Sequence, residues 1–225
     1  MACSLLLAAL GSAALLTSGA EKPTPHIRVA CVGDSITAGS GIMNSAMAYP
    51  AQLGRLLGEP WQVQNFGVNG ATLLKHGDKP YDQQKAYTAA LDSKPDVLLL
   101  MLGTNDSKPQ NWVHKEDFAA DCSALLDAFR KVNPRIRIYV CLPVPAFPGN
   151  YNIRDEVIRN EILPVLRIVA QEKQVPIIDC YAALNGKSDL FPDKVHPNAE
   201  GAGVIAETVA YALTGKKPAP ASAAK

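Results

Sequence analysis

The chain has 225 residues, of which 48% are hydrophobic and 19% are charged, and its formal net charge is +1. This length suits one substantial domain with a buried core. The near-neutral charge gives no reason to expect nucleic acid or an anionic membrane surface as a partner. The sequence shows no heptad repeat, no solenoid period and no metal-type cysteine spacing, which argues against coiled-coil, repeat and cysteine-ligated metal proteins.

The first 20 residues differ in character from the rest of the chain. They are apolar and uncharged, and small residues at Ser18 and Ala20 precede the charged Glu21 and Lys22. This pattern predicts a signal peptide over residues 1–20 with cleavage near Ala20, and therefore a secreted or periplasmic protein without stable membrane association. The stretch is short for a spanning helix. It also lacks the positively charged residues with which signal peptides usually begin, so an uncleaved membrane anchor is the alternative.

The cysteines that follow this segment lie mostly in or at the end of apolar, strand-like runs. Cysteine in such a run commonly serves as a small buried hydrophobic residue. An exported protein can also pair its cysteines, and the sequence alone fixes no connectivity. We therefore predict free buried thiols, with a single disulfide as the alternative, for Cys31, Cys122, Cys141 and Cys180.

Short apolar runs alternate with helical patterns from residue 27 onward. Apolar positions at helical spacing predict helices, and we expect the longest of them to kink at Pro164. The predicted strands cover residues 27–32, 61–66, 97–102, 136–141 and 175–178, and the predicted helices cover residues 46–57, 81–91, 118–132, 153–173 and 199–213.

Strands that alternate with helices indicate a parallel sheet with helices on both faces. We predict one α/β domain over residues 21–214, with three α/β/α layers around a five-stranded parallel sheet of flavodoxin-like topology. The tail over residues 215–225, rich in Pro, Ala and Lys, is predicted to be disordered. In such a sheet the loops after the strands share one rim, where ligands bind.

A serine lies on the turn that follows the first predicted strand. The apolar run stops at Gly33, and Asp34 and Ser35 come directly after it. A serine at this position can point into a cleft and act as a nucleophile if a base reaches it from elsewhere in the chain. Capping the next helix is the alternative, and it is the commoner role for serine there.

Two further loops on the same rim offer hydrogen-bond donors. Gly70 follows the second strand, where glycine serves either a turn with positive φ or the close approach of a backbone N–H to a reacting oxygen. Asn105 follows the third strand, where its side chain either forms a local turn or donates to a developing oxyanion. Each position taken alone leaves its alternative open.

An acid and a histidine stand three residues apart just before the last helix. Asp193 can accept a hydrogen bond from the ring of His196 within one tight loop, and Pro197 biases His196 away from helical geometry. The other ring nitrogen is then free to take a proton from Ser35. A nearby Asp and His on a protein surface are more often incidental, so the pair has little weight alone.

Together these segments resemble the signature blocks of the SGNH (GDSL-type) hydrolase superfamily, in order and over nearly all of the chain from Ile27 to Leu213. Each block is weakly specific, whereas the four in this order are highly specific. Ile36 stands where the nickname of the family has leucine, a variation that leaves the chemistry unchanged. The blocks are Gly33-Asp34-Ser35-Ile36-Thr37, Gly70, Gly103-Thr104-Asn105-Asp106 and Asp193-Lys194-Val195-His196.

The resemblance implies a role for each residue. Ser35 is the expected nucleophile, His196 the general base and then acid, and Asp193 the residue that orients it. The backbone N–H groups of Ser35 and Gly70 and the side chain of Asn105 are the expected oxyanion hole. The expected reaction is ester hydrolysis through an acyl-enzyme, with no metal and no cofactor. The absence of a Gly-x-Ser-x-Gly elbow around Ser35 argues against the α/β-hydrolase fold.

The loop over residues 106–112 is rich in hydrogen-bonding groups. We expect Asn111 and Asp34 to contribute to substrate binding and Trp112 to stack on a sugar ring, while packing of Trp112 for stability is the alternative. The loops resemble those of bacterial sialate or xylan O-acetylesterases, which implies a small acyl group on a carbohydrate as substrate. The alternatives are a lysophospholipase or thioesterase, an acyltransferase, or a carbohydrate-binding module that has lost turnover.

Overall fold

The structure is a computed structural model, and it describes residues 26–149 and 151–216. The predicted signal peptide over residues 1–20 and nearly all of the predicted tail lie outside the described residues. Within the described part, every helix is too short or too polar to cross a bilayer.

Five parallel strands form one sheet in the order β2-β1-β3-β4-β5, which confirms the predicted fold class. The last strand is shorter than predicted because Pro176 precedes it and has no N–H to donate to the sheet. The strands are β1 (Ile27–Gly33), β2 (Trp61–Gly67), β3 (Val97–Met101), β4 (Arg137–Cys141) and β5 (Ile177–Ile178).

Helices cover both faces of this sheet. Three short ones, α1, α4 and α8, are not in the prediction, because four or five residues are too few to show helical periodicity. The helices of the described residues are α1 (Ser35–Ala38), α2 (Tyr49–Leu57), α3 (Lys85–Asp92), α4 (Pro109–Trp112), α5 (Phe118–Val132), α6 (Asp155–Val157), α7 (Leu163–Glu172), α8 (Cys180–Leu184) and α9 (Ala199–Thr214).

Alternate residues of the strands feed two separate cores. Every residue of β3 is buried, as expected for a strand with a helix layer on each side. Leu98 and Leu100 belong to the core that also contains Phe129 of α5, whereas Leu99 belongs to the core that contains Ile205 of α9. The three-layer arrangement therefore follows from the period of two along each strand.

The long helix predicted over residues 153–173 is interrupted, as expected from Pro164. α6 passes into a π-helical turn at Ile158–Ile162 before α7 begins, and Pro164 lies in the first turn of α7. A proline ring inside a regular helix clashes with the carbonyl group four residues earlier, and a wider turn gives it room.

Several predicted boundaries shift for local reasons. The helix predicted from residue 46 begins as α2 at Tyr49, with Pro50 in its first turn, where a missing N–H costs nothing. Ser45–Met47 instead forms a separate 3₁₀ turn. The four cysteines of the described residues are buried and free, which agrees with the predicted thiols.

The end of β1 lies beside the ends of two other strands. Gly33 pairs in register with Gly67 of β2 and with Met101 of β3. The residues after Gly33, Gly67 and Met101 therefore leave the sheet at the same rim. This register brings the loops that carry Ser35, Gly70 and Asn105 together.

Gly67 provides a test of how closely α1 packs on this rim. A Cβ atom at Gly67 would meet the backbone N of Ala38 and lie 2.6 Å from the carbonyl carbon of Thr37. Because backbone atoms cannot rotate away, we expect Gly67→Ala to lower the free energy of unfolding by about 2 kcal/mol or more, measured by urea denaturation.

Gly54 in α2 is the matched control. A Cβ atom there would lie 3.6 Å from Cβ of Val63, an ordinary contact. Alanine is the better helix former, so Gly54→Ala is expected to raise the free energy of unfolding by up to about 1 kcal/mol. Equal stabilities for the two variants would contradict the close packing of α1 against Gly67.

Candidate active site

Ser35 is the first residue of α1, and the cap of that helix is its neighbour. Asp34 Oδ1 accepts a hydrogen bond from the backbone N–H of Ile36 at 2.9 Å. The helix therefore has its capping group without Ser35, and the alternative role of Ser35 as a cap is wrong. The Ser35 hydroxyl group is left to interact with another part of the chain.

That partner is His196, which lies 161 residues further along the chain. His196 Nε2 is 2.8 Å from Ser35 Oγ, and His196 Nδ1 is 2.7 Å from Asp193 Oδ2. An Nδ1–H donated to the carboxylate fixes the tautomer in which Nε2 accepts from the serine hydroxyl group. The structure thus brings together the serine, the histidine and the acid that the sequence predicts.

The carboxylate of Asp193 is held by the backbone of its own loop. Its Oδ1 atom accepts from the N–H of His196 at 2.7 Å and from the N–H of Val195 at 3.0 Å. Partial burial works to raise the pKa of Asp193, but these hydrogen bonds and that from the His196 ring outweigh it and hold the pKa below its ordinary value. An ionised, fixed carboxylate can orient the imidazole and stabilise its protonated form.

Gly70 and Asn105 line the same cleft as Ser35 and His196. Gly70 has φ +77°, in the left-handed region that favours glycine. Asn105 Nδ2 donates to the backbone carbonyl of Ala71 at 3.1 Å, which fixes the amide and leaves its second N–H for the cleft. The predicted oxyanion donors therefore line the same cleft as the serine.

A buried carboxylate fixes the two oxyanion loops to each other. Asp106 is fully buried, and its two oxygens accept from the backbone N–H groups of Leu73 at 3.0 Å and Leu74 at 2.8 Å. Burial raises the pKa of Asp106 to about 7, against the opposing effect of these hydrogen bonds. Asp106 thus ties the loop of Gly70 to the segment of Asn105.

The cleft has a volume of about 380 Å³ and opens to solvent on the rim. Its wall carries hydroxyl, amide, ammonium and phenol groups besides the residues already described. It is lined by Ser35, Ser40, Gly41, Asn69, Gly70, Asn105, Lys108, Tyr151, Ile153, Asp193, Val195 and His196.

Trp112 does not line the cleft, so the structure contradicts the expectation that it stacks on a sugar. Its side chain is buried, and its indole N–H donates to Glu161 Oε2 at 2.9 Å. The Trp112 ring also packs edge-on against Phe118, with 5.3 Å between the ring centroids. The alternative, that Trp112 packs for stability, is correct.

The structure also places the two other predicted substrate-binding residues in structural roles. Asn111 is 1% exposed, and its amide accepts from the backbone N–H of Asp78 at 2.8 Å and donates to the backbone carbonyl of Asn105 at 2.8 Å. Asp34 is likewise 1% exposed and caps α1. Both side chains satisfy backbone groups and are buried away from a substrate.

Sequence reasoning missed the aromatic residue that does line the cleft. The Tyr151 side chain is 59% exposed, and its ring stands edge-on to the His196 ring at 5.5 Å between centroids. Tyr151 has φ +60° and lies in an irregular loop. A single aromatic residue in a loop without periodicity gives no signal by which the sequence could identify it.

Comparison with known proteins agrees with this arrangement. The model of the GDSL-like Lipase/Acylhydrolase family matches residues 31–204, most of the chain. The chain belongs to this family. This confirms the resemblance drawn from the four sequence blocks.

One curated relative is an acetylxylan esterase of Xylanibacter ruminicola, 41% identical over 206 residues. The match covers 83% of this chain and 43% of the relative, so the chain spans less than half the length of that protein.

Solved structures of two esterases share the architecture at low identity. An aryl esterase of M. smegmatis superposes with a TM-score of 0.69 and 20% identity, covering 84% of this chain and 99% of that one. A carbohydrate acetylesterase from Sinorhizobium meliloti superposes with a TM-score of 0.68 and 16% identity, covering 84% of this chain and 99% of that one. These likenesses confirm the fold, and because the two neighbours have different names, the fold alone does not select a substrate.

Asn105 allows a direct test of the oxyanion hole. We expect Asn105→Ala to lower kcat for p-nitrophenyl acetate by about 10²–10³-fold, because one donor to the transition-state oxyanion is lost. KM is expected to change little, since the donor acts mainly on the transition state.

Gln110→Ala is the control for this measurement. Gln110 is an exposed amide in the same segment, and it bonds only to Asp78 Oδ2 at 3.3 Å among its described side-chain contacts. The kcat of the Gln110→Ala variant should stay near the wild-type value, and urea denaturation of both variants checks that they fold. An unchanged kcat in a folded Asn105→Ala variant would remove the oxyanion role.

Proposed function

We propose that the chain is a serine esterase that removes small acyl groups, above all acetyl, from carbohydrate esters through an acyl-serine intermediate. The observation that carries the proposal is the hydrogen-bonded chain from Ser35 Oγ to His196 Nε2 at 2.8 Å and from His196 Nδ1 to Asp193 Oδ2 at 2.7 Å. Its position in an open cleft supports action on an ester from solution.

In the first half of the reaction, His196 Nε2 takes the proton from Ser35 Oγ as that oxygen attacks the acyl carbonyl carbon. The negative charge that develops on the carbonyl oxygen is met by the backbone N–H groups of Ser35 and Gly70 and by the side-chain N–H of Asn105. The Ser35 N–H is available because the first N–H groups of a helix have no partner within it. Collapse of this intermediate releases the sugar hydroxyl group, which takes its proton from His196.

In the second half, a water molecule takes the place of the sugar. His196 accepts one proton from this water while the water oxygen attacks the acyl carbon. The bond between the acyl carbon and Ser35 Oγ then breaks, the carboxylic acid is released, and His196 returns a proton to Ser35 Oγ. Every proton is transferred between His196, Ser35, the sugar and water, so the cycle ends with the enzyme unchanged. A second sugar hydroxyl group in place of water would give acyl transfer by the same steps.

The chemistry of the cleft supports a sugar ester rather than a long acyl chain. The wall includes the polar residues Ser40, Asn69 and Lys108, whose residue types suit the hydroxyl groups of a carbohydrate. The Ser40 hydroxyl group donates to Asn69 Oδ1 at 2.9 Å, which leaves the Asn69 amide N–H groups as donors. Acetylxylan esterase, the name of the relative at 41% identity, supports acetylated xylan as the substrate class. The uncharged apolar segment over residues 1–20 supports export, where such polymers are met.

Tyr151 is our candidate for the surface that receives the sugar ring. Its ring is largely exposed and stands beside His196, where the departing sugar oxygen must collect its proton. An aromatic face can bury the apolar C–H face of a pyranose, while the phenol hydroxyl group remains in water. Tyr151 thereby takes the role that the sequence assigned to Trp112.

The nucleophile is tested by Ser35→Ala, which removes the attacking oxygen. We expect kcat on p-nitrophenyl acetate to fall by about 10⁴-fold or more, with an unchanged unfolding transition. Ser45→Ala, at an exposed serine in a 3₁₀ turn, is the control and should keep full activity. Turnover retained in Ser35→Ala would exclude Ser35 as nucleophile.

The substrate class is tested with the wild-type enzyme. Release of the acyl group is measured from acetylated xylan, acetylated sialic acids and lysophospholipids. Comparable rates on all three would leave the carbohydrate assignment without support, whereas a clear preference for one of the sugars is the expected result.

The proposed stacking of the sugar on the Tyr151 ring is tested by Tyr151→Ala, with Tyr151→Phe as the conservative variant. We expect Tyr151→Ala to raise KM for an acetylated xylo-oligosaccharide by about 3- to 10-fold, the amount that one aromatic contact contributes. Tyr151→Phe keeps the ring and should stay near wild type. Ethyl acetate has no ring to stack, so equal losses on ethyl acetate would show that Tyr151 positions His196 instead.

A further inference from the structure

Three potential metal ligands meet on the rim outside the catalytic cleft. One ligand atom each from His76, His114 and Asp117 lies within 4.8 Å of the other two. His76 Nδ1 is 3.2 Å from Asp117 Oδ2, and the centroids of the two imidazole rings are 5.6 Å apart. None of the three lines the cleft of Ser35 among the residues that the structure describes.

Hydrogen bonds fix the backbone both before and after His76 in the chain. The N–H of Lys75 donates to Asp121 Oδ2 at 2.9 Å, and the N–H of Asp78 donates to Asn111 Oδ1 at 2.8 Å. The position of His76 relative to the segment after β3 is therefore set before any ion binds. Binding then needs only side-chain rotation, which lowers its entropic cost.

The other two ligands are fixed relative to each other by a single turn. The N–H of Asp117 donates to the carbonyl of His114 at 3.0 Å, and the 3₁₀ turn Lys115–Asp117 follows directly after His114. Residues three apart in a 3₁₀ turn lie one above the other, so His114 and Asp117 share a face. The two ligands and His76 thus converge from two loops.

The neighbouring ammonium groups are directed elsewhere. Lys75 Nζ pairs with Asp121 at 3.6 Å, and Lys115 Nζ pairs with Glu161 at 3.3 Å. Two lysines that are adjacent in sequence to ligand residues are thereby engaged with other carboxylates. Because each ammonium group is paired with a carboxylate, its positive charge repels a cation at the cluster less than an unpaired lysine would.

We infer that His76, His114 and Asp117 form a binding site for a divalent transition-metal ion, Zn²⁺ in the first place. Two imidazole nitrogens and one carboxylate oxygen are the ligand types that this ion prefers, and water completes the coordination. Metal–ligand distances of about 2.0–2.2 Å place tetrahedral ligand atoms roughly 3.3 Å apart. In the structure the three ligand atoms lie within 4.8 Å of one another, so the side chains must move slightly closer to bind an ion. The side chains of His76 and Asp117 are 70% and 52% exposed, which leaves them room to rotate into these positions.

A bound ion would join the loop after β2 to the segment after β3. These are the segments that carry Gly70 and Asn105, and Asp106 and Asn111 already connect them. We therefore assign the site a stabilising role for this rim and no step in ester hydrolysis. The inference is independent of the proposed substrate.

The test is calorimetric titration of ZnCl₂ into the full chain, carrying no histidine tag. Wild type is expected to bind with a component that His76→Gln and His114→Gln each weaken by roughly tenfold or more, since even losing an outer-shell partner of a ligand costs about that much. Asp117→Asn keeps a hydrogen-bonding group beside His76 but removes the anionic ligand, and it should weaken binding as well. Added ZnCl₂ should raise the Tm of wild type and not that of these variants.

His26→Gln is the matched control. The sequence has four histidines, and His26 is also exposed beside a carboxylate, with Nδ1 3.5 Å from Glu59 Oε2, but no second histidine joins that pair among the described residues. Its Zn²⁺ affinity should equal that of wild type. Wild-type affinity in His76→Gln and His114→Gln, or an equal loss in His26→Gln, would overturn the site.

Discussion

The hydrogen bond between Ser35 Oγ and His196 Nε2 joins the two ends of the domain, and the active site depends on it. It places an atom next to β1 in contact with a loop that precedes α9. Packing between α2 and α9 holds that loop in place, since Gln52 Nε2 of α2 donates to the carbonyl of Ala199 at 2.8 Å. Asn198 then caps α9 through Gly201, and the carbonyl of Lys194 accepts from the N–H of Phe147 at 2.8 Å, so the loop is anchored on both sides of His196. The position of His196 beside Ser35 therefore depends on contacts that lie outside the cleft.

The rim is organised by carboxylates that bind backbone N–H groups. Asp34 caps α1, Asp106 binds the loop of Gly70, and Asp193 folds its own loop around His196. Burial raises the pKa of Asp34 to about 6 and that of Asp106 to about 7, whereas the hydrogen bonds of Asp193 lower its pKa. The least buried of the three is thus the one that faces His196, where a stable negative charge can support a protonated imidazole.

Local pattern was enough to predict the sheet, because the alternation of apolar runs and helices leaves few topologies. It was also enough to place Ser35, Gly70 and Asn105 on one rim, because parallel strands end on one side. Side-chain direction was not predictable in the same way. Trp112 is the last residue of the short helix α4 in a polar segment yet is buried, while the ring of Tyr151 is exposed at the cleft in an irregular segment. Both outcomes depend on contacts between residues distant in sequence, which no local pattern records.

This difference explains why the chemistry of the chain is better defined than its substrate. The proposed proton-transfer groups, Ser35 and His196, are held by side chains that accept from backbone N–H groups beside them, namely Asp34, Asp193 and Asn198. The other residues that line the cleft, such as Lys108 and Tyr151, lie outside the sheet, on segments that can change without affecting the core. An aryl esterase and a carbohydrate acetylesterase share this fold at similar TM-scores, as expected if substrate choice is made by those loops. A binding module without turnover would have no need of a histidine held between a serine and an ionised carboxylate, and that geometry favours catalysis.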